Sequence, residues 1–318
     1  MSTTRIATLV PSATEIVCAL GLADEIVAVT HECDYPPAIR GRPVVVRPRV
    51  DSSLGSAAID AEVESTLRRG ESLYRLDVEA LSAARPDLIV TQDLCEVCAL
   101  PSLDVEGIAA RLPGAPRVLR LHPHTLADIL ADVLRVGEAA GRGDEARRVV
   151  AALEARVAGV ETVLRRRPGR PGEEGTPRVF CMEWLDPPFC SGHWMPEIVE
   201  RAGGREMIGR HARPSYRVEW DAIAAAAPDV VVLTVCGFDV GRTVAELPAV
   251  TGRPEWRGLP AVAAGRVYAT DGSAFFSRSG PRIVDGLEIM AAILHPEAAA
   301  RRPPGGWVRL ARELVAPD

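Results

Sequence analysis

The sequence predicts an α/β protein made of two similar lobes joined by a long helix. The first observation is an internal repeat: residues 74–90 read YRLDVEALSAARPDLIV, and residues 216–232 read YRVEWDAIAAAAPDVVV, 142 positions later and without a gap. Both segments contain Tyr-Arg, an acidic amphipathic stretch typical of a helix of about three turns, Pro-Asp and a β-branched apolar run. The other two observations are an alternation of strand and helix patterns in each half and a helical stretch between the halves. Together they indicate a duplicated architecture.

Each half begins in the same way. Apolar runs at 5–10 and 178–183 predict strands, and periodic apolar segments at 14–20 and 196–202 predict helices. Gly21 and Gly203 follow these segments directly, which is typical of a helix end. The alternation predicts two Rossmann-like α/β lobes, each with a parallel sheet covered on both faces.

The stretch between the halves predicts two helices. Thr125 and Asp128 form a capping box that uses Asp in place of Glu, and apolar residues then recur at helical spacing. After a break at 141–143 the pattern resumes for about 24 residues, a helix of ~36 Å. The predicted domains are therefore an N-terminal lobe over 1–123, a helical connector over 124–167, a linker over 168–176 and a C-terminal lobe over 177–318.

Composition restricts the class of protein. The 318 residues carry a net charge of -6, 47% hydrophobic and 25% charged residues, with no basic run that would bind a nucleic acid backbone. No stretch reaches the roughly 18 apolar residues of a membrane span, and residues 1–12 show no signal peptide or lipid-anchor cysteine. Seven unevenly spaced cysteines argue against a disulfide framework. We therefore expect a cytoplasmic monomer with reduced thiols that binds a small molecule.

The motifs argue against catalysis and for ligand binding. The chain contains no G-x-S-x-G, no H-E-x-x-H and no glycine-rich phosphate loop. Ligands of open α/β sheets bind beyond the carboxyl ends of the strands, so two facing lobes would hold a ligand in the cleft between them. The loops that follow the strands are the expected site.

Five short stretches resemble one known family. They are RIATLVPSATEI from Arg5, DYPP from Asp34, RPDLIV from Arg85, PPFCSG from Pro187 and RSGPR from Arg278. In this order, over about residues 5 to 295, they resemble the vitamin B12-binding proteins of ABC importers. These belong to a group of class III substrate-binding proteins with a rigid helical backbone between two lobes, whose members also bind haem, ferric siderophores or metal ions.

Two features depart from that family. Its importer proteins carry a secretion signal, which this sequence does not show, so an ABC permease is expected as a partner only if a leader has been removed. The strand-end loops hold His31-Glu32-Cys33 and Cys95-Glu96-Val97-Cys98, where the family favours aromatic and small polar residues. The second of these loops follows a strand that ends near Gln92.

The resemblance and the loop positions together predict the ligand-binding residues. In the first lobe they are His31, Glu32, Cys33, Tyr74, Gln92, Cys95 and Cys98. In the second lobe they are Trp184, Phe189, Cys190, His193, Trp194, Tyr216, Cys236, Phe275, Phe276 and Arg278. The pair Pro187-Pro188 would stiffen the loop that carries Phe189, and a corrin, a broad and mostly apolar disc edged with amides, suits such an aromatic wall.

Metal binding is the alternative function. The candidate ligands are His31, Cys33, Cys95, Cys98, Cys190 and His193. A single CxxC supplies only half of a four-coordinate zinc site, so ligands from both lobes would have to meet. The remaining alternatives are a metal chelate such as haem or a siderophore, or a metal-dependent enzyme.

Several other residues have simpler interpretations. Cys18 and Cys181 lie in apolar patterns and are expected in the core. His122 and His124 are expected to cap a helix or to be solvated, and His211 and His295 have no expected ligand role. The resemblance aligns Glu15 and Glu200 with the glutamates that dock on permease arginines, although both could be ordinary charges on helix surfaces.

Overall fold

The computed structural model describes residues 4–94, 102–165, 175–297 and 305–316, with backbone only for 102–104. The chain forms two compact units. Unit 1 comprises residues 1–54, 61–123 and 127–152, and unit 2 comprises residues 55–60, 124–126 and 153–318. The elements of the first part of the chain, through the connector, are β1 Ile6–Thr8, α1 Pro11–Ala19, β2 Ile26–Thr30, β3 Val44–Pro48, α2 Ser56–Arg68, β4 Tyr74–Leu76, α3 Val78–Ala84, β5 Leu88–Gln92, α4 Ser102–Ala109, β6 Arg117–Leu121, α5 Leu126–Ala139 and α6 Gly143–Arg165.

The second part of the chain contains short strands and helices around longer central strands. They are β7 Arg178–Trp184, β8 Phe189–Cys190, α7 Met195–Arg201, β9 Arg205–Glu206, β10 Tyr216–Arg217, α8 Trp220–Ala226, β11 Val230–Leu233, α9 Val240–Ala245, α10 Pro248–Thr251, α11 Pro254–Arg257, α12 Pro260–Ala263, β12 Val267–Thr270, α13 Gly272–Phe275, α14 Ile283–Leu294, β13 Trp307–Arg309 and α15 Arg312–Val315. Two 3₁₀ turns, Ala23–Glu25 and Pro37–Ile39, complete the described elements.

The sheet of unit 1 has the strand order β4-β3-β2-β1-β5-β6. Every neighbouring pair is parallel except β3 and β4, which are antiparallel. The apolar residues of β1 and β5, and those of β2 except Val27, are buried, and helices pack on both faces of these strands. The strand order reverses between β1 and β5, and in such sheets ligands bind at the carboxyl ends of the strands beside the reversal.

The sheet of unit 2 has the order β10-β8-β7-β11-β12-β13, and β9 pairs with the start of β7. The strands β9, β11 and β12 run parallel to β7. The short strands β8, β10 and β13 pair antiparallel with their neighbours. The prediction of an α/β architecture is confirmed, but the prediction of wholly parallel sheets is wrong at the edges, where strands of two or three residues turn back.

The internal repeat is confirmed as two copies of one strand–helix–strand unit, β4–α3–β5 and β10–α8–β11. Each helix has only seven residues, about two turns rather than three, and each ends at a residue with a left-handed backbone. These residues, Arg85 at φ 44° and Ala227 at φ 42°, precede a proline. Because proline disfavours the right-handed helical conformation in the residue before it, both helices stop at the same place.

The sequence pattern suggested that Tyr74 and Tyr216 begin the repeated helices. In the structure they lie instead in the edge strands β4 and β10. Their edge-strand positions depend on pairing with Pro48 and Cys190. Such partners lie far away in sequence, so the local pattern does not reveal them.

The connector has the predicted break. Helix α5 ends at Ala139, and α6 begins at Gly143 and continues for 23 residues. The division between the two units falls inside α6, after Ala152. No helix in the described ranges is both long and apolar enough to cross a membrane.

The buried carboxyl group of Asp132 gives unit 1 a pH-dependent stability. Asp132 lies in α5 with 3% of its surface exposed, and Arg135 donates to its Oδ1 at 2.8 Å. Burial, opposed in part by Arg135, raises the pKa of this carboxyl group to about 6. The folded state therefore binds a proton more tightly than the unfolded state, and this contribution to stability is full below about pH 4 and is lost as the pH rises through about 6.

We expect Asp132→Asn to remove this dependence. The free energy of unfolding of the wild type, relative to that of the variant, should fall by about 2 kcal/mol between pH 4 and pH 7. Chemical denaturation at several pH values measures it. Parallel pH profiles for the two proteins would contradict the assignment.

Candidate functional site

An aromatic wall follows the longest strand of unit 2. Trp184 ends β7 and lies directly opposite Phe189 of β8, so the turn through Pro187 and Pro188 brings the two rings to one place. Both side chains are half-buried. The Trp184 ring lies 5.3 Å from the ring of Phe238, which follows β11. Phe238 is itself buried, so Trp184 and Phe189 form the exposed part of this cluster. We call the three rings the aromatic wall.

The aromatic wall is fixed to the beginning of α2. Trp184 Nε1 donates to the backbone oxygen of Ser56 at 3.1 Å. The backbone nitrogen and the hydroxyl of Ser56 each donate to Glu246 Oε2 at 3.1 Å. Ser56 is 2% exposed, and Ile59 packs against the core of unit 2. Glu246 therefore holds a helix start whose carbonyl orients Trp184.

We expect Glu246→Ala to release this contact. The first backbone N–H of α2 would lose its acceptor, at a cost of about 1–2 kcal/mol in the free energy of unfolding. Glu246→Gln keeps an acceptor oxygen and should retain most of the stability. Denaturation curves, together with Trp184 fluorescence assigned against a Trp184→Phe reference, test this. Identical behaviour of the Ala and Gln variants would contradict it.

Cys190 and Tyr216 stabilise the base of the aromatic wall. Cys190 is fully buried, and its thiol donates to the backbone oxygen of Tyr216 at 3.4 Å. Burial raises the pKa of the Cys190 thiol, which keeps it protonated. The Tyr216 hydroxyl donates to the backbone oxygen of Ile208 at 2.9 Å, and the Arg210 guanidinium lies 4.6 Å from the ring centre. These contacts are those of packed residues, and a protonated thiol is a poor metal ligand.

His193 is held in an unusual backbone conformation. Its φ is 51°, and two backbone bonds fix it: its N–H donates to the Arg213 oxygen at 2.6 Å, and its oxygen accepts from Ala212 N at 2.9 Å. Nearby, Glu183 accepts hydrogen bonds from Gly192 N at 3.3 Å and from the Ser215 hydroxyl. Strained backbone of this kind persists where the surrounding structure determines it, and it occurs often at ligand sites.

The ring of His193 is close to two other rings. Its centre is 5.7 Å from His124 and 5.7 Å from Trp194. Trp194 is only 4% exposed and donates to the Phe276 oxygen at 2.9 Å. We call His124 and His193 the imidazole pair; Trp194 lies next to His193, and its hydrogen bond to Phe276 fixes the position of the indole.

The loops after β11 and β12 carry the remaining predicted residues of unit 2. Cys236 is exposed directly after β11. Arg278 is 9% exposed and donates to Ser273 Oγ at 3.2 Å. Phe275 is half-buried, 5.7 Å from the Arg282 guanidinium. The structure thus brings Trp184, Phe189, Cys190 and Tyr216 together in one group and His193, Trp194 and Phe276 in a second group.

In unit 1 the loop after β2 presents a small polar group. His31 Nδ1 lies 3.2 Å from the Val46 oxygen, its Nε2 is 3.9 Å from Glu32, and its ring centre is 6.1 Å from that of Tyr74. Cys33 lies elsewhere, with its sulfur 2.9 Å from Thr14 Oγ1. The loop therefore brings His31, Glu32 and Tyr74 together and directs Cys33 to α1.

Gln92 lies where the strand order of unit 1 reverses. It is 5% exposed at the end of β5, and the hydroxyl of Ser12 donates to its Oε1 at 3.4 Å. Ser12 is itself 1% exposed, in the first turn of the helix that follows β1. The pair occupies the carboxyl ends of β1 and β5, the position expected for ligand contacts in such a sheet.

The remaining candidates are the predicted metal ligands and the two glutamates predicted to dock on a permease. Cys95 and Cys98 lie outside the described residues. Among the residues that the structure does describe, no three His, Cys, Asp or Glu side chains are arranged to hold a metal ion. Glu200 is exposed on α7, whereas Glu15 on α1 is only 4% exposed, which differs from the surface position that we expected.

Sequence reasoning missed His124, Phe238, Ser12 and the Ser56–Glu246 contact. His124 and His193 are separated by 68 residues, and no local pattern connects them. Phe238 could have been found, because it follows β11 in the position that a strand-end loop occupies. Ser12 could also have been found, because it follows the first strand at the start of a helix.

Comparisons with known proteins agree with this architecture. The profile of the family described as periplasmic binding protein matches residues 6–274. The chain is 23% identical over 297 residues to an uncharacterized ABC transporter substrate-binding lipoprotein, YvrC, of Bacillus subtilis strain 168, covering 92% of this chain and 80% of that one.

Solved structures share the fold at low identity. A periplasmic haem-binding protein of Pseudomonas aeruginosa gives a TM-score of 0.71 at 20% identity, covering 97% of this chain and 99% of that one. The apo haem-binding protein RhuT of Roseiflexus sp. RS-1 gives a TM-score of 0.70 at 20% identity, covering 93% of this chain and 100% of that one. The vitamin B12-binding protein BtuF of Vibrio cholerae gives a TM-score of 0.65 at 20% identity, covering 93% of this chain and 98% of that one. The chain belongs to the periplasmic binding protein family, which consists of non-catalytic substrate-binding proteins of ABC transporters.

Proposed function

We propose that the protein binds cobalamin or a related corrinoid. The observation that carries this proposal is the aromatic wall of Trp184, Phe189 and Phe238, in which two rings are half-buried and held by a hairpin and a hydrogen bond. A planar, mostly apolar macrocycle gains most from such rigid rings, because they lose little conformational entropy on binding. The sequence motifs shared with B12-binding proteins, and the fold shared with BtuF, support the same ligand class.

Each unit also has polar groups that would suit the amide rim of a corrin. In unit 2 these are His193 and Arg278, and in unit 1 they are His31, Glu32 and Gln92. Neutral and charged donors at the ring edge would orient the corrin, and the aromatic wall would supply most of the binding energy.

Titration calorimetry with cyanocobalamin and with dicyanocobinamide tests the proposal. We expect one corrinoid to bind per chain, and Phe189→Ala to weaken binding at least tenfold. Leu314→Ala, which alters an exposed apolar residue of α15, is the control and should bind as the wild type does. Absence of heat and of any visible spectral change with both corrinoids would refute the proposal.

Haem is the second candidate, and the imidazole pair favours it. An imidazole nitrogen is a common axial ligand of haem iron, and His193 and His124 are neighbours in unit 2. Haem would produce a Soret shift on binding that His193→Ala abolishes. A corrinoid without side-chain coordination to cobalt would leave its spectrum unchanged in the same variant.

Membership of the family supports an ABC permease as partner. The Bacillus relative is named a lipoprotein, whereas the sequence of this chain led us to expect the cytoplasm. Fractionation of the source cells, followed by detection with a specific antibody, distinguishes a membrane-anchored location from a cytoplasmic one. A cytosolic chain would support a leaderless binding protein, and a membrane-associated chain would support delivery of ligand to a permease.

A further inference from the structure

Unit 1 contains a cavity of about 410 Å³ beside its edge strand. The residues that line it come from the end of β3, from β4, from the start of α3 and from α4. We call it the arginine groove, after Arg49, Arg75 and Arg111, which line it together with Tyr74, Val78 and Ile108. Its volume falls within the range of roughly 300–1,000 Å³ that is typical of small-molecule sites.

The arginine groove carries three positive charges and no negative charge in its described lining. None of the residues that line it is acidic. Within the described parts of the chain, the guanidinium groups of Arg49, Arg75 and Arg111 have no hydrogen-bond or ion-pair partner. Two acidic residues nearby along the chain are paired with other arginines: Glu106 of α4 with Arg120 at 3.1 Å and Glu71 with Arg69 at 3.3 Å. Asp77 instead caps α3, where its Oδ1 accepts from Ala80 N at 2.9 Å.

A further arginine increases this local charge. Arg47 of β3 lies directly opposite Arg75 of β4 in the antiparallel ladder. Like charges in this position repel and destabilise the strand pair. In a protein whose net charge is -6, a group of arginines at one sheet edge is an unfavourable arrangement that a bound anion would relieve.

Aliphatic side chains also line the groove. Val78 is 41% exposed, which is unusual for a large hydrophobic residue of this chain, and Ile108 is partly exposed. An arginine fork binds carboxylate or phosphate oxygens in a bidentate manner, and exposed aliphatic side chains pack against an apolar body. The groove therefore combines the two surfaces that an amphipathic anion requires.

We propose that the arginine groove binds a small organic anion, an apolar body that carries a carboxylate or a phosphate group. Tyr74 belongs both to the groove and to the residues predicted to contact the corrinoid. The anionic group thus has two sources: a separate amphipathic molecule, or a carboxylate or phosphodiester on the principal ligand. The binding chemistry is the same for both, and it does not depend on the corrinoid assignment.

Methyl NMR of Val78 and Ile108 tests the proposal directly. Hexanoate and hexyl phosphate are titrated into the full chain at constant ionic strength, with hexanol and hexylammonium as matched probes that lack the negative charge. We expect saturable shifts at both methyl sites with the anions and none with the neutral or cationic probe. No saturation with either anion, or an equal response to hexanol, would overturn the proposal.

Arginine variants provide the second measurement. Arg75→Gln and Arg111→Gln should each weaken binding of the anionic probes at least fivefold. Arg40→Gln, which removes an exposed arginine outside the groove, should not change it. Unchanged affinity in both groove variants, with unchanged thermal stability, would overturn the proposal.

The same variants identify the source of the anion. If the corrinoid supplies it, both substitutions should weaken binding of cobalamin, which has a phosphodiester, and leave binding of cobinamide, which lacks that phosphodiester, unchanged. If a separate molecule supplies it, both corrinoids should bind as they do to the wild type, while hexanoate and hexyl phosphate still lose affinity.

Discussion

Replacement of Arg156 by Ala should destabilise the protein by about 3–5 kcal/mol, because it leaves two carboxylates without their cation in a partly buried setting. Arg156 of α6 donates through Nε to Glu288 Oε1 and through a terminal nitrogen to Glu288 Oε2, both at 2.9 Å, and it also binds Asp285. Glu288 is 6% exposed on α14. Arg156→Lys should recover only part of the loss, because an ammonium cannot reproduce the bidentate fork.

Arg148→Ala is the matched control for Arg156→Ala. It removes an arginine from the same helix, and its partner Glu145 lies on that helix at the surface. Because exposed pairs within a helix contribute little, this variant should unfold almost as the wild type does. Thermal and urea denaturation measure both variants. Equal small effects would show that the α6–α14 pairing does not support the fold of unit 2.

Gly192→Ala should have the second large effect, and it should act on both stability and ligand binding. A Cβ on Gly192 would lie 2.3 Å from Ser215 N and 2.5 Å from the Arg213 oxygen, so the backbone at 213–215 would have to move. The Arg213 oxygen is the acceptor that fixes His193. We expect a loss of about 3 kcal/mol in the free energy of unfolding and displacement of the imidazole pair.

Gly159→Ala controls for the loss of glycine itself. Gly159 lies in α6, and no neighbouring atom comes within 4 Å of the place that an alanine Cβ would take. Alanine should therefore stabilise the helix by about 0.5–1 kcal/mol. Urea denaturation and ligand titration of both variants test the argument. Wild-type stability and affinity in Gly192→Ala would contradict the role given to the close backbone approach at this position.

The repeated unit could be predicted from sequence because its signals are local. The Pro-Asp dipeptides and the apolar runs after them mark the same helix ends and strand starts in both halves, and the break at 141–143 marks the division between α5 and α6. The antiparallel edges could not be predicted in this way. The strands β8 and β10 have two residues each, and they exist because of their pairing partners and not because of their own propensity.

The sequence predicted only those parts of the candidate site that local patterns reveal. The candidate residues of the loop at 183–194 were predicted from the resemblance and from the position of the loop after a strand. This loop carries Trp184 and Phe189 of the aromatic wall, and His193. Its burial could not be read from the sequence: Cys190, Trp194 and Phe276 are enclosed, whereas Trp184 and Phe189 are half-buried. His124 and Ser56 take part through contacts across 68 and 127 residues, which only the folded chain creates.

Native mass spectrometry of the protein in an equimolar mixture of cyanocobalamin, dicyanocobinamide and hemin tests the ligand assignment most directly. All three compete for the same chain at once, so the mass of the adduct identifies the preferred class. We predict one corrinoid per chain, with Phe189→Ala largely free of adduct under the same conditions. A hemin adduct alone, or a chain without any adduct, would contradict the assignment.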